Sequence, residues 1–320
     1  MTTSLEPIAG VYLCDMLDLE TLFAPSLARL PQLRMYRPDA VPDAAEIRLA
    51  IAYRPAQAAF LPFSRLQLVQ SIAAGVDGIL GNPSLPPDIP VARVRDPEQA
   101  AIMAGFAVWH VIWHHRRMGH YLKAAQAYRW DRISFAGLKA PSATVVGVLG
   151  YGTMGRAVAE AVAQLGFDVR AATLTPRQDQ GAIPLITGPH APRRLAAQCD
   201  IVINLLPLTP DTRSMIDAGF LAAMPQGAVL IHLGRGEQLV EPALLDMLDR
   251  GHLSGASLDV FATEPLPADH PFWNHPNVVV TPHEASVLPA SAVVDALERS
   301  LADLRAGVTP RTAVDRIKGY

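Results

Sequence analysis

Residues 144–177 read TVVGVLGYGTMGRAVAEAVAQLGFDVRAATLTPR. The run 144–149 is apolar, rich in β-branched residues and long enough for a buried parallel strand. Gly150, Gly152 and Gly155 follow at G-x-G-x-x-G spacing, and the alanine-rich run 153–165 reads as a helix. Gly166 ends that helix, and 168–173 reads as the next strand. In such a strand–helix–strand unit the first glycine permits a tight turn. The second lets the backbone approach a phosphate, and the third lets helix and strand pack closely. The helix start adds free N–H groups and a positive dipole end. The stretch therefore predicts a cradle for a dinucleotide pyrophosphate.

The same alternation continues outward. Beyond the glycine unit, IVINLLP (201–207) is a buried strand, 214–224 a helix, and 228–233 a strand ending in Gly234, Arg235 and Gly236. A helix at 241–250, stopped by Gly251, leads to a strand at 256–261 that runs into Ala262, Thr263, Glu264 and Pro265. The last strand, 277–281, ends in Pro282 and His283. Strands alternating with helices predict a doubly wound parallel sheet. Before the glycine unit, strands at 10–14, 47–53, 66–72 and 91–94 and a helix at 17–30 predict a smaller α/β domain. Residues 97–129 read as one long helix, with Asp96 as N-cap and Pro97 at the first position. A final helix is expected at 289–305, with a tail to Tyr320 that returns to the first domain.

Composition narrows the field. At 320 residues, two domains are the default. With 50% apolar and 18% charged residues the chain reads as globular. Its net charge of −3 argues against nucleic acid or an anionic membrane as partner. No run approaches a membrane span, and no basic-then-apolar leader opens the chain. Cys14 and Cys199 make neither a disulfide framework nor a zinc site, so a cytoplasmic protein is expected. His110 and His114, four apart, would share a helical face, but a third ligand is missing, and a solvated or subunit-contacting face is the expectation. No metal is therefore expected.

Ligands of open α/β sheets bind beyond the carboxyl ends of the strands. Arg235, Glu264 and His283 each follow such an end, which gathers a cation, a carboxylate and an imidazole. Reducing a ketone by hydride leaves negative charge on its oxygen, so a proton donor must stand beside it, and histidine suits that role near neutrality. His283 is the candidate acid, Glu264 the carboxylate that steadies its imidazolium, and Arg235 the fork that grips a substrate carboxylate. In the first domain, SIAAGVDGI (71–79) puts Ala74, Gly75 and Val76 in a tight turn. Successive N–H groups there suit a carboxylate, although the local sequence by itself favours a plain strand-to-helix turn.

These residues resemble the D-isomer-specific 2-hydroxyacid dehydrogenase family along nearly the whole chain. The resemblance rests on VGVLGYGTMG (146–155), LLPLTPDTRSMI (205–216), HLGRGEQLVE (232–241), LDVFATEPLP (258–267) and TPHEAS (281–286). It is strongest to the bacterial glyoxylate/hydroxypyruvate reductases, with their AGVD turn and Gly319-Tyr320 terminus. It implies a Rossmann nucleotide-binding domain (98–285) inserted in a flavodoxin-like substrate domain (1–97 plus 286–320), and a homodimer. Arg235, Glu264 and His283 take the catalytic positions. Cofactor contacts are implied at Gly150, Tyr151, Gly152, Thr153, Met154, Gly155, Leu206, Pro207, Leu233, Gly234 and Asp259. Substrate contacts are implied at Tyr53, Arg54, Ala74, Gly75, Val76, Arg235 and His283. The implied reaction is NAD(P)-dependent reduction of a small 2-keto acid to the D-2-hydroxy acid. A dehydrogenase of a bulkier 2-keto acid, and a non-catalytic dinucleotide sensor or corepressor on the same fold, stay open.

Two departures bear on specificity. NAD-preferring members carry an acidic residue at the end of the second nucleotide-domain strand, where this chain has Thr173. Without that carboxylate nothing accepts from the ribose 2′-OH or repels a 2′-phosphate, and Thr173, Thr175 and Arg177 are candidate phosphate partners. NADP(H) is expected to be preferred, with NAD(H) the alternative, since Leu174 stands where similar reductases have arginine. Glu284 follows the histidine in place of an apolar residue and is expected to face solvent.

Overall fold

The computed structural model describes residues 7–133, 137–176 and 181–316, which fall into two units. One comprises Met1–Asp96 with Val287–Tyr320, the other Pro97–Ser286. In chain order the first unit opens with β1 (Ile8–Leu13), α1 (Leu19–Leu27), β2 (Leu33–Tyr36), β3 (Ile47–Ala52), β4 (Leu68–Ser71), α2 (Asp77–Leu80) and β5 (Val91–Ala92). The second unit starts with α3 (Pro97–His115), α4 (Met118–Gln126), β6 (Val145–Leu149), α5 (Thr153–Gln164), β7 (Asp168–Thr173), β8 (Leu185–Thr187) and α6 (Ala191–Ala196). It continues with β9 (Ile201–Asn204), α7 (Ala218–Ala223), β10 (Ala228–His232), α8 (Glu241–Asp249), β11 (Leu253–Leu258) and β12 (Val278–Val280). The chain then re-enters the first unit through α9 (Ala290–Arg305).

The first sheet is parallel, in the order β2-β1-β3-β4-β5, the flavodoxin arrangement. Leu49, Ile51 and Leu68 pack on one face with Phe23, Val293 and Leu297, so α1 and α9 cover it. Phe60, Phe63, Val76 and Ile79 cover the other face over Val11, Ala50 and Val69. The tail rejoins this unit: Ala313 bridges Ala92, and Val314 N–H donates to Val91 O at 2.9 Å. The second sheet is parallel throughout, in the order β12-β11-β10-β9-β6-β7-β8. Counted from β6, this is the Rossmann order of two mononucleotide halves meeting at the β6–β9 switch point. Its central strands are apolar on both faces, as sheets covered by helices on both sides require.

Two sequence expectations need correction. The segment 97–129 is two helices, not one. The break falls at Arg117, whose φ of +52° lies in the left-handed region, and Gly119 then packs against the Trp113 ring. The residue at the break is an arginine, and the nearest glycine, Gly119, already lies inside α4, so the sequence carries no stop signal at 117 itself. The helix expected from 214 begins only at Ala218, where Asp217 Oδ1 accepts from Phe220 N at 2.7 Å. Ile216 instead bridges Leu239, and Ser214 N–H donates to Glu237 O, so tertiary pairing overrides local helix propensity there.

Candidate active site

The carboxyl ends of β7, β6, β9, β10, β11 and β12 stand in that order across the second sheet, and most sequence candidates follow them. Past β6, Gly150 has φ of +94°, and a Cβ at Gly155 would meet the Gly150 carbonyl oxygen at 1.8 Å. A Cβ at Gly152 would meet open space, and no side chain caps the start of α5. Free N–H groups at an open helix start are what a pyrophosphate requires, so the residues present fit a dinucleotide. Leu206 closes on this turn: its Cδ2 would lie 3.4 Å from a Gly150 Cβ. Tyr151 is buried, packing within the core rather than outward. Thr173 ends β7, its hydroxyl donating to Thr175 O at 3.3 Å, and Leu174 is exposed. Arg177 lies outside the described residues.

Arg235, Glu264 and His283 belong to the loops after the adjacent strands β10, β11 and β12. His283 Nδ1 lies 3.0 Å from Glu264 Oε2, and Glu264 Oε1 accepts from Phe261 N at 3.0 Å. The Arg235 guanidinium donates through Nη1 to Gly234 O at 2.7 Å. His283 has φ of +60°, strained for a residue with a side chain. The buried carboxylate of Asp259 holds that loop. Its Oδ1 accepts from Thr281 Oγ1 at 2.7 Å and from Glu284 N at 3.0 Å, and its Oδ2 from Ala285 N at 3.0 Å. Burial pushes the Asp259 carboxyl up, against the opposing pull of these hydrogen bonds. Expected as a cofactor contact, Asp259 thus spends three hydrogen bonds on the histidine loop. Glu284 is exposed.

In the first unit the turn after β4 has its carbonyls occupied. Ser71 Oγ donates to Ala73 O at 3.0 Å and to Gly75 O at 3.4 Å, and Arg93 Nη1 to Ala74 O at 3.4 Å. Among the described residues the N–H groups of Ala74, Gly75 and Val76 donate to no backbone acceptor. Tyr53 and Arg54 follow β3, Arg54 with φ of +41°.

The expectation of a solvated face for His110 and His114 is corrected: His110 is buried and His114 half-buried. Both approach Ser257 Oγ on β11 at 2.8 Å, His110 Nδ1 from one side and His114 Nε2 from the other. Among the described residues no cluster of three potential metal ligands occurs. The i, i+4 spacing had marked one face correctly. What it faces, a serine 143 residues on, has no local signal.

A glycine-lined helix start at the switch point of a Rossmann sheet, with an imidazole–carboxylate pair past the carboxyl ends of β11 and β12 in the same sheet, defines a nicotinamide-dependent oxidoreductase. Residues 108–285 match the family model described as D-isomer specific 2-hydroxyacid dehydrogenase, NAD binding domain. Over 299 residues the chain is 35% identical to glyoxylate/hydroxypyruvate reductase A of Serratia proteamaculans, covering 91% of this chain and 93% of that protein. A D-isomer specific 2-hydroxyacid dehydrogenase from Xanthobacter autotrophicus Py2, solved with NADPH and MES, superposes with a TM-score of 0.89 at 33% identity, covering 98% of this chain and all of that one (100%). The NADPH-dependent glyoxylate/hydroxypyruvate reductase of Sinorhizobium meliloti, solved with NADP and sulfate, also gives 0.89, at 29% identity and 98% and 100% coverage. The chain belongs to the D-isomer-specific 2-hydroxyacid dehydrogenase family. It is an NAD(P)-dependent dehydrogenase with its nucleotide-binding domain in the second unit. None of its described helices is long and apolar enough to cross a membrane.

Proposed function

We propose that this enzyme reduces glyoxylate, hydroxypyruvate or a similarly small 2-keto acid to the D-2-hydroxy acid, with NADPH as preferred cofactor. The observation that carries the reading is the His283–Glu264 pair at 3.0 Å beside the Arg235 loop. With Nδ1 turned to Glu264, the Nε2 edge of His283 is the one that gives a proton to the carbonyl oxygen as charge develops there. Glu264 fixes the ring and stabilises the imidazolium, itself oriented by Phe261 N–H. Arg235 grips the substrate carboxylate, its guanidinium held in place by the Nη1 donation to Gly234 O. From the first unit we assign to substrate contact the N–H groups at 74–76, which donate to no backbone acceptor among the described residues, together with Tyr53 and Arg54. When bound, the reduced nicotinamide supplies the hydride. Gly150, Gly152, Thr153, Met154 and Gly155 hold its pyrophosphate, and Leu206, Pro207, Leu233 and Gly234 its nicotinamide half. Thr173 and Thr175 leave β7 without a carboxylate to repel a 2′-phosphate, and the NADP-bound relatives support the same preference.

A homodimer belongs to the same proposal. Ile102, Trp109 and Ile112 expose apolar surface along α3, where Trp109 stacks on Trp113 with ring centroids 5.0 Å apart. Tyr128 and Trp130, after α4, are exposed as well, and exposed apolar surface of this kind marks an interface. Light scattering on the purified protein tests the dimer.

The function is tested by NADPH and NADH oxidation against glyoxylate, hydroxypyruvate, pyruvate and a bulkier 2-keto acid. Turnover of the small acids with NADPH is expected. Preference for NADH overturns the cofactor assignment alone. NADPH binding without turnover of any acid favours the sensor reading.

A further inference from the structure

Behind the Arg235 loop lies a fully buried polar network that the reaction as described does not use. Gln238, Asn204 and His232 are each 0% exposed. Gln238 Oε1 accepts from Arg235 N at 3.0 Å and from Asn204 Nδ2 at 2.8 Å. Gln238 Nε2 donates to Leu206 O at 3.1 Å and to Pro207 O at 2.9 Å. One side-chain amide thereby fills its whole hydrogen-bonding capacity, two acceptor and two donor positions. Asn204 completes the arrangement. Its Oδ1 accepts from Leu206 N at 3.3 Å, and its Nδ2 also meets His232 Nδ1 at 3.1 Å. Both main-chain polar groups of Leu206 are therefore held by buried side-chain amides.

The orientation is defined by chemistry. Asn204 Nδ2 is a donor, so it pairs with His232 Nδ1 as the acceptor, while the buried Nε2 meets no partner among the described residues. Burial holds that ring neutral, with its pKa pushed down to about 4. The packing admits no slack at Gly234, where a Cβ would stand 2.4 Å from Gln238 Oε1, 2.9 Å from Asn204 Nδ2 and 3.1 Å from Leu206 O. A polar cluster placed in a core at the cost of desolvating three side chains fixes geometry more than it adds stability.

We propose that Gln238 is a positioning residue that ties the substrate-gripping Arg235 to the cofactor loop at Leu206 and Pro207, with Asn204 and His232 holding it in orientation. The inference rests on the roles proposed above for Arg235 and for that loop. The amide's oxygen serves the arginine turn and its nitrogen the nucleotide side, so the two halves of the site are set by a single planar group. Gln238→Leu removes both connections at similar volume. Gln238→Glu keeps an acceptor for Arg235 N–H and Asn204 but withdraws the paired donors from Leu206 O and Pro207 O.

The test measures three quantities on the full-length variants: the unfolding midpoint, the NADPH dissociation constant by nicotinamide fluorescence without substrate, and kcat and KM for glyoxylate at saturating NADPH. Gln238→Glu is expected to weaken NADPH about tenfold while the glyoxylate KM stays within about threefold. Gln238→Leu is expected to weaken NADPH similarly and also to raise the glyoxylate KM about tenfold. Should Gln238→Leu fail to fold, the split in Gln238→Glu decides alone. A lowered unfolding midpoint with NADPH affinity and glyoxylate KM unchanged overturns the proposal. Arg235→Ala, assayed in parallel, separates the two levels: if it leaves the glyoxylate KM and kcat unchanged, the role of Arg235 is what fails. If Arg235→Ala is impaired and the Gln238 variants are not, the positioning role is what fails.

Discussion

Gly236 lies directly against the backbone of Phe261. A Cβ at Gly236 would stand 1.8 Å from the Phe261 carbonyl carbon and 2.4 Å from Ala262 N. No methyl group fits unless one of the two main chains moves. Gly236 follows Arg235, while Phe261 N–H donates to Glu264 and Ala262 N–H to Glu241 Oε1 at 3.1 Å. The arginine turn and the glutamate loop are thus seated on each other through a missing side chain. Gly236→Ala should shift them, and a displacement of about 1 Å in a reacting geometry costs about 10²-fold. We expect kcat/KM for the preferred keto acid to fall by about that much. Steady-state kinetics alongside circular dichroism would check it, and wild-type kinetics in a folded Gly236→Ala would refute the coupling.

The histidine–glutamate pair gives a second expectation. His283→Ala removes the proton donor and should lower kcat by about 10²–10⁴-fold. Glu264→Gln keeps the shape but removes the charge that steadies the imidazolium, so kcat should fall by about tenfold or more. NADPH affinity should persist in both variants, because neither residue lies in the glycine turn. Single-turnover measurements with preloaded NADPH isolate the chemical step. An unchanged rate in His283→Ala would remove it from the acid role.

The parts of this molecule that were legible in sequence are those whose signals are local. β7 runs Asp168–Thr173, as the pattern implied, because Gly166 and the apolar alternation both mark it. The glycine turn announced itself because only glycine tolerates φ of +94° or a carbonyl 1.8 Å from its Cβ position. The edge strands β2 and β8 and the short helix α6 went unmarked, being too short to carry a period. Gln238 looked like an ordinary polar residue in a loop, since its partners lie 31 and 32 residues away at Pro207 and Leu206. Asp259 was noticed for its motif, but its hydrogen bonds to the histidine loop exist only once β11 and β12 are adjacent.

Thr173 offers a test of cofactor choice by one substitution. Thr173→Asp places a carboxylate at the end of β7, where it accepts from a ribose 2′-OH and repels a 2′-phosphate. The ratio of kcat/KM for NADPH over NADH should drop by about tenfold or more. Glyoxylate KM at saturating cofactor should stay constant, since the change lies at the far end of the dinucleotide. A ratio that does not move would show that the 2′ position is recognised elsewhere.

The buried imidazoles make stability depend on acid. Burial pushes His110 and His232 down from 6.5 to about 4, and burial together with His110 pushes His114 to about 3. The unfolded chain therefore takes up protons below about pH 6.5 that the folded chain refuses. Stability is full above that pH, declines as pH falls toward 4, and is not regained below. The unfolding midpoint should drop by about 10 °C between pH 7 and pH 4.5. His114→Gln retains an amide that can bond Ser257 Oγ but cannot titrate, so its decline should be shallower. Scanning calorimetry of both proteins across that range is the measurement. Parallel slopes would show that other groups, carboxylates above all, govern the acid response.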